Sequence, residues 1–314
     1  MLDLLKKKLP GLYDFYCRVQ RLKVLKKAER MEALPTAEYP KRIEAEYQKA
    51  LGHRLDWDHL RTYTEKMQWE KLYDKNPLKA VLADKYRVRE WVENRIGKEY
   101  LIPLLGVWDS FDDIDFNGLP AQFVLKTNHG SGTNLIVKDK EKLNIKRTKR
   151  MFDDWMKMNY AFTNGLELHY KDIPRKIIAE EYIKTERGEL QDYKFLCFDG
   201  KPCFCWVDLD RYTKHTRKVF NIQWEAQPWT QAHFEIADYD IPKPQNYDQM
   251  VEIAAALSEG FSHVRVDLYN VSGKIYFGEM TFTNASGFSP IIPEEYDEVL
   301  GKYWNLPIDR EGET

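Results

Sequence analysis

Residues Val264 to Phe288 read VRVDLYNVSGKIYFGEMTFTNASGF. Val264, Val266 and Leu268 alternate with Arg265, Asp267 and Tyr269, the two-residue period of a strand. Asn270 to Gly273 supplies a turn and Lys274 to Phe282 returns, so the segment predicts a hairpin. Asp267 then lies on one strand and Glu279 on its neighbour, and the two carboxylates converge on one site. Hard oxygen donors placed close together suit Mg²⁺, which takes one or two protein carboxylates and completes its octahedron with waters and substrate phosphates. Arg265 shares the Asp267 face. A guanidinium beside such a site is what a transferring phosphoryl group needs, because charge builds on its oxygens in the transition state.

On these residues the stretch resembles the C-terminal metal segment of ATP-grasp enzymes. Arg-Val-Asp-Leu, a short turn, Ile-Tyr-Phe-Gly-Glu-Met-Thr and the small Ser286-Gly287 pair follow the order seen in D-alanine ligase-like members. Those members carry Glu-x-Asn where this chain has Thr281 two residues after Glu279, and Asn284 is the candidate substitute. From about Asp84 onward the chain resembles the TupA-like ATP-grasp family of capsule and teichuronopeptide biosynthesis. The resemblance implies an α+β ATP-grasp fold whose two subdomains clamp Mg-ATP. It divides the chain into a helical region at 1–78, a small subdomain with a glycine-rich loop at 79–182, and a large subdomain with the metal site at 183–314. The first region would stand in place of the Rossmann-like domain common in ATP-grasp enzymes, since it lacks a β-rich pattern.

Upstream, Phe123 to Asn128 reads as a strand that runs into His129-Gly130-Ser131-Gly132 and emerges as Thr133 to Val137. Glycines let backbone N–H groups approach phosphate oxygens without Cβ interference. The Gly-Lys-Ser/Thr ending and following helix of a Walker loop are missing, so the unit resembles the phosphate-covering loop of ATP-grasp enzymes, with Lys126 just before it. An ordinary hairpin turn uses the same residues. Lys85, at the start of a helix predicted over Tyr86 to Ile96 and stopped by Gly97, would reach the nucleotide phosphates by the same resemblance. A strand over Arg175 to Ile183 carries Glu180, Glu181 and Ile183 where ATP-grasp enzymes hold adenine. Asp192 and Lys194 share a strand face assigned to ribose and phosphates, a surface ion pair being the bland alternative.

The hairpin signal Asp199-Gly200 leads into a strand with Asp208-Leu209-Asp210 and the basic run Arg211, Lys214, His215 and Arg217. Asp-x-Asp is also the metal pair of nucleotide-sugar glycosyltransferases, the rival function. The basic run is read as the edge of an acceptor site for an acid, because guanidinium forks hold carboxylates in bidentate fashion. Ser286, in the small-residue turn, joins it as a substrate contact by resemblance. Trp224 to Pro244 forms a long aromatic loop, and Asn246 is placed as the cap of a helix that ends at Gly260.

At 314 residues, 43% hydrophobic and 31% charged, the chain belongs with ordinary globular proteins rather than disordered ones. A net charge of −2 leaves no nucleic-acid footprint. The four cysteines show no Cys-x-x-Cys and read as structural thiols, with Cys203 and Cys205 on one strand face. Residues 1–30 hold nine basic against three acidic residues, interleaved with Leu, Tyr, Phe and Val. That composition suits peripheral contact with the inner face of the plasma membrane, or a helix packed on the body. Leu2 to Leu9 is interrupted by three lysines and no run approaches a spanning length, so the expected setting is cytoplasmic.

The reading implied is an ATP-dependent carboxylate–amine ligase with ATP and Mg²⁺. Lys126, Lys85 and Arg265 neutralise phosphate charge, with Arg265 and Lys126 catalytic, and Asp267, Glu279 and Asn284 serve as metal ligands. The expected partners are an acidic, uronic-acid glycan and an amine or amino acid.

Overall fold

A computed structural model describes residues 8–185, 190–209, 216–232 and 234–308. Its helices are α1 (Pro10–Glu32), α2 (Tyr39–Leu51), α3 (Tyr63–Tyr73), α4 (Leu78–Leu82), α5 (Val88–Ile96), α6 (Ile145–Lys157), α7 (Tyr247–Ser258) and α8 (Glu295–Tyr303). Strands β1 (Leu104–Trp108), β2 (Phe123–Thr127), β3 (Asn134–Val137) and β4 (Ile177–Glu181) precede β5 (Asp192–Phe198), β6 (Lys201–Leu209) and β7 (Thr216–Asn221). The short β8 (Thr230–Gln231) and β9 (Glu235–Ile236) lead to β10 (His263–Val271), β11 (Lys274–Thr281) and β12 (Ile291–Ile292).

The chain forms two compact units, Met1–Tyr39 with Pro103–Tyr182, and Pro40–Ile102 with Ile183–Thr314. Here too a unit begins at 183, but no boundary falls at 78, where the sequence reading placed one; the chain instead divides after Tyr39 and after Ile102. Residues 40–102 fold with the C-terminal half because Leu82, Val88 and Val92 enter its core and Tyr63 and Met67 pack on Phe198, Leu300 and Trp304.

In the first unit, β1, β4, β2 and β3 form an antiparallel sheet in that order. Phe123 and Leu125 on β2 and Ile177 and Ala179 on β4 point to one side, where Phe111 and Phe152 cover them. Asn144 caps α6 by accepting from the Arg147 N–H. The packing presents the outward residues of β2 and β4, among them Lys126 and Glu180.

In the second unit the sheet order is β11-β10-β5-β6-β7-β9. Alternation sorts its side chains. Tyr193, Phe195, Cys197, Cys205, Val207, Val264, Val266 and Leu268 face Met250, Ala254 and Leu257 of α7. The other face is apolar at one end, where Leu196, Phe198, Phe204 and Trp206 meet α3 and α8, and charged at the other. Cys203 and Cys205 do not share a face, since the register shifts between Leu196 and Cys197, sending Cys203 to the α8 side. Asn246 sits at the start of α7 without capping it. Its amide instead donates to the Gly273 carbonyl at 2.7 Å and accepts from Asn270, tying the helix to the hairpin turn.

Candidate active site

The charged end of the second unit's sheet is built around Arg265. On β10, Arg265 and Asp267 are two residues apart and point the same way, so Nε reaches Oδ1 and Nη2 reaches Oδ2, each at 2.7 Å. Nη2 also lies 3.3 Å from Glu279 Oε1 and 3.1 Å from Thr281 Oγ1, while Nη1 donates to the Asn284 amide oxygen. On the adjoining β5, Lys194 Nζ donates to Asp192 and, at 2.8 Å, to Asp267 Oδ2, and stands 3.9 Å from Asp208 Oδ2. Asp267 is 2% exposed, whereas the Glu279 side chain retains 34%, so Glu279 is the open end of the cluster.

Burial dominates the electrostatics. It would lower the Arg265 pKa, but the facing Asp267 and Glu279 carboxylates outweigh it and hold the guanidinium charged. Burial likewise pushes the Asp267 carboxyl up, opposed by Arg265 and Lys194. Arg265, Asp267, Lys194 and Asp192 are withdrawn from water together, which is costly unless their hydrogen bonds are complete. They are a preorganised set of charges.

Lys85 extends the set. Asp84, 1% exposed, accepts from the Tyr86 and Arg87 N–H groups at 2.8 and 3.2 Å, and this local turn delivers Lys85 Nζ to 3.8 Å from Glu279 Oε2.

The turn after β11 completes this region from an unforeseen side. Ala285, Ser286 and Gly287 all have positive φ, of 48, 56 and 67°. A Cβ on Gly287 would come 2.3 Å from the Gln68 amide nitrogen. Gln68 Nε2 donates to Gly287 O at 3.0 Å, and Lys71 Nζ donates to Ser286 O at 2.8 Å and to its Oγ at 3.2 Å. Lys71 is 2% exposed and lies 4.0 Å from the Phe288 ring centroid. Ser286, expected to meet substrate, is therefore held by α3. Beside it Glu70, Asp74 and Lys79 form a second buried ion cluster. None of Gln68, Glu70, Lys71 or Lys79 was expected from sequence. The readable signal was Thr64, Gln68 and Lys71 at helical spacing on one buried face, polar where a core stripe should be apolar.

In the first unit, Lys126 Nζ donates to Glu180 Oε2 at 2.5 Å, with Glu180 6% exposed. Glu181, on the opposite face, is exposed, and its N–H donates to Pro103 O. The glycine loop joins β2 and β3 as a hairpin whose base is fixed: Asn128 bonds Lys176 N and Pro174 O, and His129 is buried. Gly130 lies against the Tyr160 ring, where a Cβ would come within 2.6 Å. Gly132 has φ +72° in open space, and Ser131 is exposed. Ile183, half-buried, opens the second unit.

Arg217 corrects an expectation. It is 3% exposed, its Nε and Nη2 fork both oxygens of Asp208 at 2.6 and 3.0 Å, and Nη1 donates to Gln231. Trp206 and Phe234 sandwich the guanidinium at 4.5 and 3.8 Å. The reason is register: Asp208 and Arg217 are directly opposed on β6 and β7, so the arginine satisfies a buried carboxylate rather than lining an acceptor edge. Arg211, Lys214, His215 and Asp210 lie outside the described residues.

Among the described residues no three His, Cys, Asp or Glu side chains gather as a metal-binding group. The oxygens of Asp267, Glu279 and Thr281 nevertheless surround one guanidinium, and two carboxylates completed by phosphate and water are a sufficient protein share for Mg²⁺. Their chemistry fits that ion. Asn284, expected as a third ligand, turns its oxygen to Arg265, and its buried amide nitrogen has no hydrogen-bond partner.

A glycine hairpin with a lysine before it, and a hairpin pairing Arg265 and Asp267 with Glu279, define the ATP-grasp class of α+β proteins. The TupA-like ATP-grasp sequence profile matches residues 65–305, and the chain belongs to that family. The match begins in α3, so the helix that holds the 284–287 turn is part of the family's domain. Among solved structures the chain is similar to D-alanine–D-alanine ligase of Bacillus anthracis, at 16% identity and TM-score 0.39, covering 71% of this chain and 64% of that one. It is similar also to the same enzyme of Helicobacter pylori, at 13% identity and TM-score 0.37, covering 72% and 62%. N5-carboxyaminoimidazole synthetase of Staphylococcus aureus follows at 11% identity and TM-score 0.37, covering 64% and 44%. The chain thus spans about half to two-thirds of the length of these structures. No curated protein matches it by sequence.

Proposed function

We propose that the protein is an ATP-dependent ligase that joins a carboxylate to an amine. The observation that carries this is the Arg265 cluster, a guanidinium bonded at once to Asp267, Glu279, Thr281 and Asn284 in a buried sheet face within the ATP-grasp family's matched segment. In this reading a carboxylate oxygen of the substrate attacks the γ-phosphorus of ATP, ADP leaves, and an acylphosphate forms. The amine nitrogen then attacks the acyl carbon, phosphate departs, and the nitrogen's proton passes to solvent.

Charge develops on the phosphoryl oxygens, and Arg265 and Lys85 in the second unit would meet it; in the first unit Lys126 would neutralise nucleotide phosphate. Bound Mg²⁺ would supply Lewis-acid stabilisation, held by Asp267 and Glu279. Glu180 and Lys194 keep their lysine and carboxylate partners oriented. Closure of the glycine loop would exclude water from a hydrolysable acylphosphate. The amine and acid are proposed as an amino acid or amine and a uronic-acid glycan, in capsule or cell-surface polysaccharide synthesis, from the family's setting.

The rival glycosyltransferase reading needs Asp208 open to a metal-bound nucleotide sugar, and Asp208 has both oxygens engaged by Arg217. The test is ADP release against a panel of uronic-acid glycans and amines, with hydroxylamine added to trap the acylphosphate as a hydroxamate. Consumption of a nucleotide sugar without ATP turnover would sink the proposal.

A further inference from the structure

The first unit carries a second concentration of charge, made by residues that are not among the ATP-grasp motifs. A pocket of about 270 Å³ lies between α1 and α6, lined by Arg18 and Arg21 from one helix and Arg147 and Arg150 from the other. Two carboxylates share the four guanidinium groups. Asp154 accepts from Arg21 at 3.2 Å and lies 4.0 Å from Arg18, while Asp14 lies 2.7 Å from Arg147. A surplus of positive charge remains, and the Arg18 and Arg147 side chains are each half exposed, so the surplus is open to a ligand. Planar guanidinium forks from two facing helices match phosphate oxygens in bidentate fashion, and a cavity of this size takes a phosphodiester together with its polar substituent.

The surroundings say which phosphate. The C-terminal half of α1 is anchored at Ala28 and Met31, which are buried, and by Lys27, bonded to Thr163 O, although Leu22 and Val24 are exposed. Its N-terminal half exposes Leu12, Phe15 and Tyr16, as does Leu9 just before it, and Phe15, 65% exposed, is also part of the pocket lining. Leu12, Phe15 and Tyr16 stand at helical i, i+3 and i+4 spacing and form one apolar strip beside the arginines. Large apolar side chains in water next to a phosphate-sized basic pocket serve no purpose for a soluble anion. They suit a bilayer surface, where apolar groups enter the acyl boundary and arginines hold headgroups.

We infer that the α1–α6 pocket binds the phosphate headgroup of an anionic lipid and seats the first unit on a membrane surface. The contact is peripheral, since no helix among the described residues is long and apolar enough to cross a membrane. It does not depend on the ligase reading.

The test is co-sedimentation of the full chain with phosphatidylcholine vesicles, with and without phosphatidylglycerol. Wild type is expected to bind the anionic vesicles only, and added salt should release it. Arg147→Ala with Arg150→Ala should weaken binding at least about tenfold, each basic contact contributing roughly a fivefold factor near a charged surface, while ATP turnover is unchanged. Phe15→Ser should weaken it as well. Should the alanine pair fail to fold, the paired lysine variants, which keep charge and lose the fork, must show intermediate binding. Equal binding to both vesicle types, retention of binding by the alanine pair, binding of inorganic phosphate without vesicle binding, or self-association of the chain through this face in place of vesicle binding would each overturn the inference.

Discussion

Glu279 stands directly across from Asp267 because β11 carries one extra residue between them and the turn. From the turn outward the pairs run Val271 with Lys274 to Leu268 with Phe277, after which Gly278 is skipped and Asp267 meets Glu279. Without that bulge Glu279 would oppose Val266 and point to the apolar face. One residue of slip moves every later side chain across the sheet.

Gly278→Ala is therefore expected to damage the site without touching a charged group. A Cβ there would lie 3.0 Å from the Asp267 carbonyl oxygen and 3.3 Å from the Tyr269 ring. Relief requires a backbone shift that moves Glu279, costing about 1–3 kcal/mol of stability. ATP turnover should fall by more than the loss of folded protein accounts for. A variant with wild-type turnover per folded molecule would show that the bulge does not position the site.

The two carboxylates should separate by stability. Glu279→Gln removes a partly exposed charge, and ATP turnover should vanish while the unfolding midpoint stays near wild type. Asp267→Asn leaves Arg265 and Lys194 without their shared buried partner, so it should lose turnover and about 3–5 kcal/mol of stability together. Denaturant unfolding of both variants beside ADP-release assays checks this. Full turnover in Glu279→Gln would falsify its assignment as a metal ligand.

Lys126→Ala should weaken ATP by roughly tenfold to a hundredfold, the worth of a charge-assisted phosphate contact of about 1.5–3 kcal/mol. Isothermal calorimetry measures it directly. An unchanged ATP affinity would leave Lys126 as a partner for Glu180 and no more.

Arg217 is expected to behave as a structural residue. Arg217→Ala strands a buried Asp208 and should cost about 3–5 kcal/mol, and Arg217→Lys should recover part of it, since the charge survives and the fork does not. The Michaelis constant for the acid substrate, measured on folded Arg217→Lys, should match wild type. A selective rise in that constant would return Arg217 to the acceptor site.

Glu70 should leave a signature in pH. Burial is the main cause that pushes its carboxyl up to about 7, with Lys79 opposing and Asp74 adding to the rise. A raised carboxyl pKa means the folded state holds a proton that the unfolded state has released, so stability falls as pH climbs from about 4.5 to about 7. The loss is on the order of 3 kcal/mol. Urea unfolding of wild type and Glu70→Gln across that window should show the wild type losing this amount relative to the variant. Parallel curves would show that Lys79 keeps Glu70 ionised throughout.

The sequence by itself determined the elements that rest on local periodicity and turn chemistry. The alternation of Val264, Val266 and Leu268 specified β10. Lys126 and the Gly130–Gly132 loop specified the β2–β3 hairpin, and Gly97 and Gly260 specified where α5 and α7 stop, each taking a positive φ. The tertiary structure alone decided which side chains meet. The bulge at Gly278 set the face of Glu279, and strand opposition gave Arg217 to Asp208. Pairing across the fold also turned Asn246 from a helix cap into a tie to the hairpin, and placed Gln68 and Lys71 of α3 on the carbonyls of Ser286 and Gly287. These contacts join residues up to 219 positions apart. A local reading sees only a helix and a turn there, because the energy that pairs them comes from burying polar groups that no local interaction could satisfy.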